Sequence, residues 1–230
     1  MAKENANEKE LERQEKVAET VSKTDRFFRE NKKTIYGCLI ALLVIGLAIM
    51  AYYKLYYQPK SEEAARQMYP AEASFRDGEF DLALNGDGNT LGFAQIIDDY
   101  GTKGGKDIYL YAGECALNLG NYEDAIAYLK KYKGKDPILN ARALSCIGDA
   151  LVNLEKYAEG AATFEKAAAV IDNDFTPNYL MKAAVAYEEM GDENKALAIY
   201  KKIKDQYPRS MEAYEIDKYI MRIESKQEAE

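Results

Sequence analysis

Ile35 to Tyr53, "IYGCLIALLVIGLAIMAYY", is a run of nineteen residues without a charge. Hydrocarbon offers no water to an unpaired N–H or C=O, so a segment of this kind crosses lipid only as a helix. As an α-helix it is about 28 Å long, against roughly 30 Å for the apolar core of a bilayer. Tyrosines follow at once in "YYKLYY", where amphipathic rings settle at the water interface, and Lys54 can extend its amine past them. A buried core helix would carry a polar face, and this run has none. A cleaved signal peptide would have a shorter charged lead than 34 residues and a small-residue cleavage site after the apolar stretch. Cys38 stands at the start of the run, where a lipoprotein signal needs it at the end. Residues 35–57 are therefore expected to form a transmembrane helix, retained as a signal anchor.

Charge sets the expected orientation. Arg26, Arg29, Lys32 and Lys33 crowd one end, while Lys54, Lys60 and Arg66 flank the other more sparsely. The positive-inside rule puts residues 1–34, a charged tail, in the cytoplasm and exports the 173 residues after Tyr57. The tail holds nine basic and eight acidic residues. Its apolar positions Leu11, Ala18, Val21 and Phe28 form a thin stripe interrupted by Gln14 and Asp25, which reads as a solvated helix or tail. Residues 58–230 hold 21 basic and 31 acidic residues, a balance that repels nucleic-acid phosphates. The chain contains no His, the usual general base near neutral pH and the commonest metal ligand. Cys38, Cys115 and Cys146 are too scattered for a zinc site or a disulfide framework, and Cys115 and Cys146 are expected to be buried thiols.

Beyond the anchor the chain repeats itself. "YLYAGECALNLGNYEDAIAYLKKYKGKDP" from Tyr109 aligns with "LSCIGDALVNLEKYAEGAATFEKAAAVID" from Leu144 at an offset of 35, and with "LMKAAVAYEEMGDENKALAIYKKIKDQYP" from Leu180 at a further 36. Gly113, Gly148 and Ala184 coincide; so do Leu129, Phe164 and Tyr200. A degenerate earlier copy starts at Tyr69. Periods of this size mark a solenoid of helical hairpins. Small residues at 113, 148 and 184, and at Ala125, Gly160 and Ala196, let the paired helices approach. Gly120 and Gly191 are placed to end first helices with a positive φ, and Pro137 and Pro208 to close second helices. After Pro208, Met211, Tyr214, Ile216, Tyr219, Ile220 and Ile223 give a last helix an apolar side, as a solenoid cap requires. In the insert "NGDGNTLGFAQIIDDYGTKGG", Asn85, Asp87 and Asn89 alternate as in a calcium loop. Thr90 and Ile96 stand where such a loop needs Gly and Glu, so the segment reads as a turn with Thr90 as N-cap of a helix.

The pattern of small residues, aromatics and prolines resembles the tetratricopeptide repeat (TPR). It departs from it where Tyr109, Leu144 and Leu180 replace the usual first-helix Trp, and where the insert splits the first copy. The resemblance implies an all-α architecture: one N-terminal transmembrane helix, a linker or first helix start at 58–68, a TPR-type α-solenoid over 69–208 with three to four repeats, and a C-terminal capping helix with its tail at 209–230. It also implies a concave face lined by first helices, with partner contacts at Asp107, Leu110, Glu114 and Leu117, at Arg142, Ser145, Asp149 and Val152, and at Asn178, Met181, Val185 and Glu188. No Ser or Cys is set beside a His, no glycine-rich phosphate loop occurs, and paired acids such as Asp98/Asp99 and Glu188/Glu189 are adjacent on helices and do not share a face. Neither an enzyme, a cofactor, a bound metal nor a small-molecule substrate is expected.

The whole layout, a short charged tail, one anchor and an exported TPR domain, resembles the YfgM-like family, in a Bacteroidota-type form. That resemblance implies a periplasm-facing, ancillary subunit of a SecYEG-type translocon at the bacterial inner membrane, working beside a membrane-anchored periplasmic chaperone. The alternative is a TPR scaffold for another envelope assembly, such as a secretion or division complex. Within the anchor, Gly37, Ala41, Gly46 and Ala48 are the expected points of close helix packing.

Overall fold

The computed structural model describes residue 22 and residues 26–228 of the chain. The stripe positions Leu11, Ala18 and Val21 lie outside the described residues, as do Gln14 and Asp25. The chain divides into two units, Met1–Gln58 and Pro59–Glu230.

In the first unit residues 26–30 are helical, and α1 spans Lys32–Tyr52, followed by a π-turn at Tyr53–Tyr57. None of the residues of α1 is buried, and α1 lies in the one stretch among the described residues long and apolar enough to cross a membrane. The tyrosines after it stack one turn apart: Tyr52 on Tyr56 with ring centroids at 5.3 Å and Tyr53 on Tyr57 at 5.4 Å. At about 100° per residue, Gly37, Ala41 and Ala48 share one stripe of the helix and Gly46 falls opposite.

The second unit opens with α2 (Gln58–Arg76), α3 (Phe80–Asn85) and α4 (Phe93–Tyr100), with a 3₁₀ turn at Gly101–Gly104. The insert belongs to the core. Phe93 and Ile96 of α4 are fully buried, and Phe93 stacks on Tyr111 at 5.6 Å. Gly104 is pressed against Met68, Ala64 and Ile96, and the Ser61 hydroxyl of α2 donates to the Lys103 carbonyl at 2.8 Å. Gly92, with Gln95 reaching back to its N–H, caps α4. Thr90 does not cap it: its N–H and hydroxyl both donate to Asp87 Oδ1, as does the Asn89 N–H. These donors hold the Asp87 carboxyl below the usual carboxylate range.

Among the described residues three hairpins follow: α5 (Ile108–Asn118) with α6 (Tyr122–Lys131), α7 (Pro137–Asn153) with α8 (Tyr157–Val170), and α9 (Thr176–Glu189) with α10 (Glu193–Gln206). The aligned small residues are where the helices touch. A Cβ on Gly113 would lie 2.5 Å from Leu129, one on Gly148 2.6 Å from the Phe164 ring, and one on Gly160 2.7 Å from Val152. Ala184 and Ala196 do the same in the third hairpin, with no exposed surface.

Each first helix ends in the same double hydrogen bond. Asn121 N–H reaches Ala116 O, Lys156 reaches Leu151 and Asp192 reaches Tyr187, while Gly120, Glu155 and Gly191 bond the carbonyl three residues back. This is the Schellman turn, which needs a left-handed residue at its corner. Gly120 and Gly191 adopt it with φ of 79° and 81°; Glu155 fills the same place with φ 59°.

Pro137 does not close a second helix. It opens α7, with Asp136 as N-cap accepting from Ile138 N–H at 2.8 Å. Proline suits that first position because its missing N–H has no partner there anyway. Pro208 does follow the end of α10.

The cap is α11 (Ile216–Gln227), reached through a 3₁₀ turn at Glu212–Glu215. Ile216, Ile220 and Ile223 are buried against the third hairpin, and Tyr219 packs on Tyr200 at 5.2 Å. Met211 and Tyr214 are 91 % exposed, because they sit in the turn, before the helical phase that carries the three isoleucines inward. The apolar interior runs along the stack in two successive clusters, α7 contributing to both, as expected where each repeat touches only its neighbours.

Candidate protein-interaction site

The first helices of the hairpins carry a ladder of charges that runs from repeat to repeat. Glu114 of α5 is 5 % exposed. Arg142 of α7 grips it, with Nη2 donating to Oε2 at 2.6 Å and Nε 2.6 Å from Oε1. Burial pushes the Glu114 carboxyl above its ordinary range, and the guanidinium opposes that rise. One repeat on, Lys182 of α9 reaches Asp149 of α7 at 2.7 Å and the Ser145 hydroxyl at 3.4 Å. At the end of the stack Glu188 of α9 accepts from the Tyr200 hydroxyl of α10 and from Arg222 of the cap, both at 2.5 Å. In each rung the acid comes from one first helix and the cation from the next first helix or the cap, so the ladder reads the register between repeats.

Two segments match models of the tetratricopeptide repeat, residues 93–137 and residues 179–210. They cover helices of the first and third hairpins, and the second hairpin repeats the same turn and the same glycine contact. The stack is a TPR solenoid. Among solved structures nine chains match; one is a crystal structure of MamA, 20 % identical, with a TM-score of 0.49, covering 70 % of this chain and 97 % of that one. No curated protein matches the sequence. TPR repeats imply a protein–protein interaction scaffold.

Within the TPR stack the residues expected to meet a partner are unequally available. Leu110 and Ser145 are buried, as is Glu114. Val152 is turned into its own hairpin against Gly160. Asp149 and Glu188 are half-buried in the ladder. Asp107, Arg142 and Asn178 are exposed, Leu117 and Met181 half-buried, and Val185 is 39 % exposed. Asn178 bonds Glu212 of the turn before the cap at 3.2 Å. The TPR positions carried over from sequence named the acids of the ladder but missed two of its cations, Lys182 and Arg222. Neither stands at a contact position of its own repeat; only the step between repeats brings them onto the acids.

Cys115 is buried, whereas Cys146, expected to be buried as well, is only half-buried; both are free thiols. Both are pushed up to about 12, first by burial and then by Glu114, so neither is a reactive thiolate at neutral pH. Among the described residues no group of three or more acidic, Cys or His side chains could hold a metal ion.

Proposed function

We propose that this chain is a membrane-anchored protein-binding subunit. The α1 helix spans the bacterial inner membrane once, with the N-terminus in the cytoplasm, and the TPR stack works in the periplasm as an ancillary component of a SecYEG-type translocon. There it links the translocon to a membrane-anchored periplasmic chaperone or to emerging chains. The observation that carries this reading is the joining, in one chain, of an apolar helix with no buried residue to a TPR stack.

Orientation rests on Arg26, Arg29, Lys32 and Lys33 outnumbering the cations on the far side. The stripe of Gly37, Ala41 and Ala48 supports lateral packing in the membrane, where small residues let helix backbones approach. Gly46 would serve a second neighbour. The accessible members of the first-helix row, the exposed Arg142, Asn178 and Val185 with the half-buried Met181, form the proposed partner face. The anchor holds that face near the pore and raises its effective concentration there without any new contact.

The test is affinity purification of the full-length protein in mild detergent. The reading expects translocon subunits and a periplasmic chaperone to copurify, and the chaperone to be lost when Arg142, Met181 and Val185 are all changed to Ala. Strong recovery of a different envelope machine without translocon subunits contradicts it.

A further inference from the structure

A second surface lies away from the first-helix row. Between the end of α6 and α7, a groove of about 490 Å³ is lined by Leu129, Leu144 and Ile147, with Lys130 and Lys133 at its rim. That volume falls within the range of roughly 300–1,000 Å³ typical of ligand clefts. Its floor is apolar and none of its α7 residues belongs to the row assigned to the partner face above.

The rim is cationic in a region that is otherwise acidic. Lys130, Lys131, Lys133 and Lys135 fall within six residues, while residues 58–230 as a whole carry ten more acids than bases. Lysines are favoured at a helix C-terminus by the backbone dipole, which accounts for Lys130 and Lys131 at the end of α6. It does not account for Lys133 and Lys135, which lie beyond the last turn. Elsewhere in the stack, Lys182, Lys195, Lys201 and Lys204 each sit within 3.0 Å of a carboxylate oxygen. Among the described residues neither Lys130 nor Lys133 has such a partner.

Tyr132 stands between them in the sequence. It is 6 % exposed and lines the groove, and its hydroxyl faces the Asp107 carboxylate. That hydroxyl lies directly under Gly134, where a Cβ would come within 1.9 Å of it.

We propose that this groove docks an acidic peptide segment of a protein partner, one apolar side chain entering between Leu129, Leu144 and Ile147 while flanking carboxylates meet Lys130 and Lys133. The charge of the rim selects the acid, and the floor selects the apolar residue. This site is distinct from the first-helix row, and it does not depend on the translocon assignment.

The experiment pans a random 12-residue peptide display library against the purified full-length protein in detergent. The expected result is enrichment of peptides rich in Asp and Glu that carry a Leu, Ile or Phe. A synthetic copy of the leading peptide should then bind wild type and bind K130E/K133E at least about tenfold more weakly, the loss of two solvent-exposed charge pairs and their replacement by repulsion. The double variant K166E/K202E makes the same charge change on exposed lysines elsewhere and should bind like wild type. Circular dichroism confirms that both variants are folded. The proposal is overturned if no acidic peptides are enriched, if K130E/K133E binds as well as wild type, or if K166E/K202E weakens binding equally.

Discussion

Replacing Glu155 by Gly should make the protein more stable. Glu155 is the only non-glycine among the described residues with positive φ, at 59°, and it occupies the Schellman corner that Gly120 and Gly191 occupy in the neighbouring hairpins. A side chain in that region costs about 1–2 kcal/mol through the clash of Cβ with the carbonyl oxygen. Glycine removes the clash but adds freedom to the unfolded chain, returning roughly 0.5–1 kcal/mol. The side chain is exposed. Its carboxylate is disfavoured by the C-terminus of α7 and favoured by the N-terminus of α8, so removing it leaves little net electrostatic change. The net gain is about 0.5–1 kcal/mol. For a folded unit of this size that is an increase of roughly 1–4 °C in melting temperature, read by far-UV circular dichroism of the full chain in detergent. Gly120→Ala and Gly191→Ala, introducing the clash at the equivalent corners, should lower it by a similar amount. An unchanged or lower melting temperature for Glu155→Gly, beside a fall for Gly120→Ala, would refute the argument that the corner is strained.

Gly148→Leu should destabilise by roughly 1–3 kcal/mol or more, because even its Cβ would meet the buried Phe164 ring at 2.6 Å; thermal melts check this, and Lys131→Ala on the surface should cost far less. Arg142→Met leaves Glu114 buried without its cation. Because burial already raises the Glu114 pKa, the folded state then prefers the neutral acid, and stability should fall as pH rises from the unfolded value near 4.5 toward neutrality. Chemical denaturation at pH 5 and pH 7 should therefore show a larger deficit at pH 7, and an equal deficit at both would contradict it. A fragment of residues 59–230 should fold alone, giving the same helical signal as the second unit of the full chain and remaining soluble without detergent; aggregation of that fragment would count against an independent solenoid.

The hairpins were legible because one spacing of small and large residues repeats three times, and close helix contact requires that pairing. Gly148 against Phe164 follows from the alignment alone. The misread positions are those where local chemistry is ambiguous. A proline such as Pro137 fits either just after one helix or at the first turn of the next, and only Asp136, capping α7, decides. Thr90 looks like a cap, but Asp87 captures its N–H and hydroxyl first. Met211 and Tyr214 fit the apolar pattern of the cap until the turn at Glu212–Glu215 breaks the phase. The charge ladder was only half visible, because Lys182 and Arg222 meet their acids through the step between repeats, a quantity that no single repeat contains. Leu110 and Ser145 were assigned to a partner by position, whereas the tightness of the stack buries both.

The account stands most directly on where the TPR stack resides. Protease added to spheroplasts expressing the full-length protein, with immunoblotting for one tag ahead of the N-terminal tail and another behind the TPR stack, measures this. The account predicts that the stack is digested while a fragment containing the N-terminal tail and α1 stays with the membrane. Protection of the stack in intact spheroplasts, or release of a shortened soluble form lacking α1, would contradict a single-span anchor that exports the TPR domain.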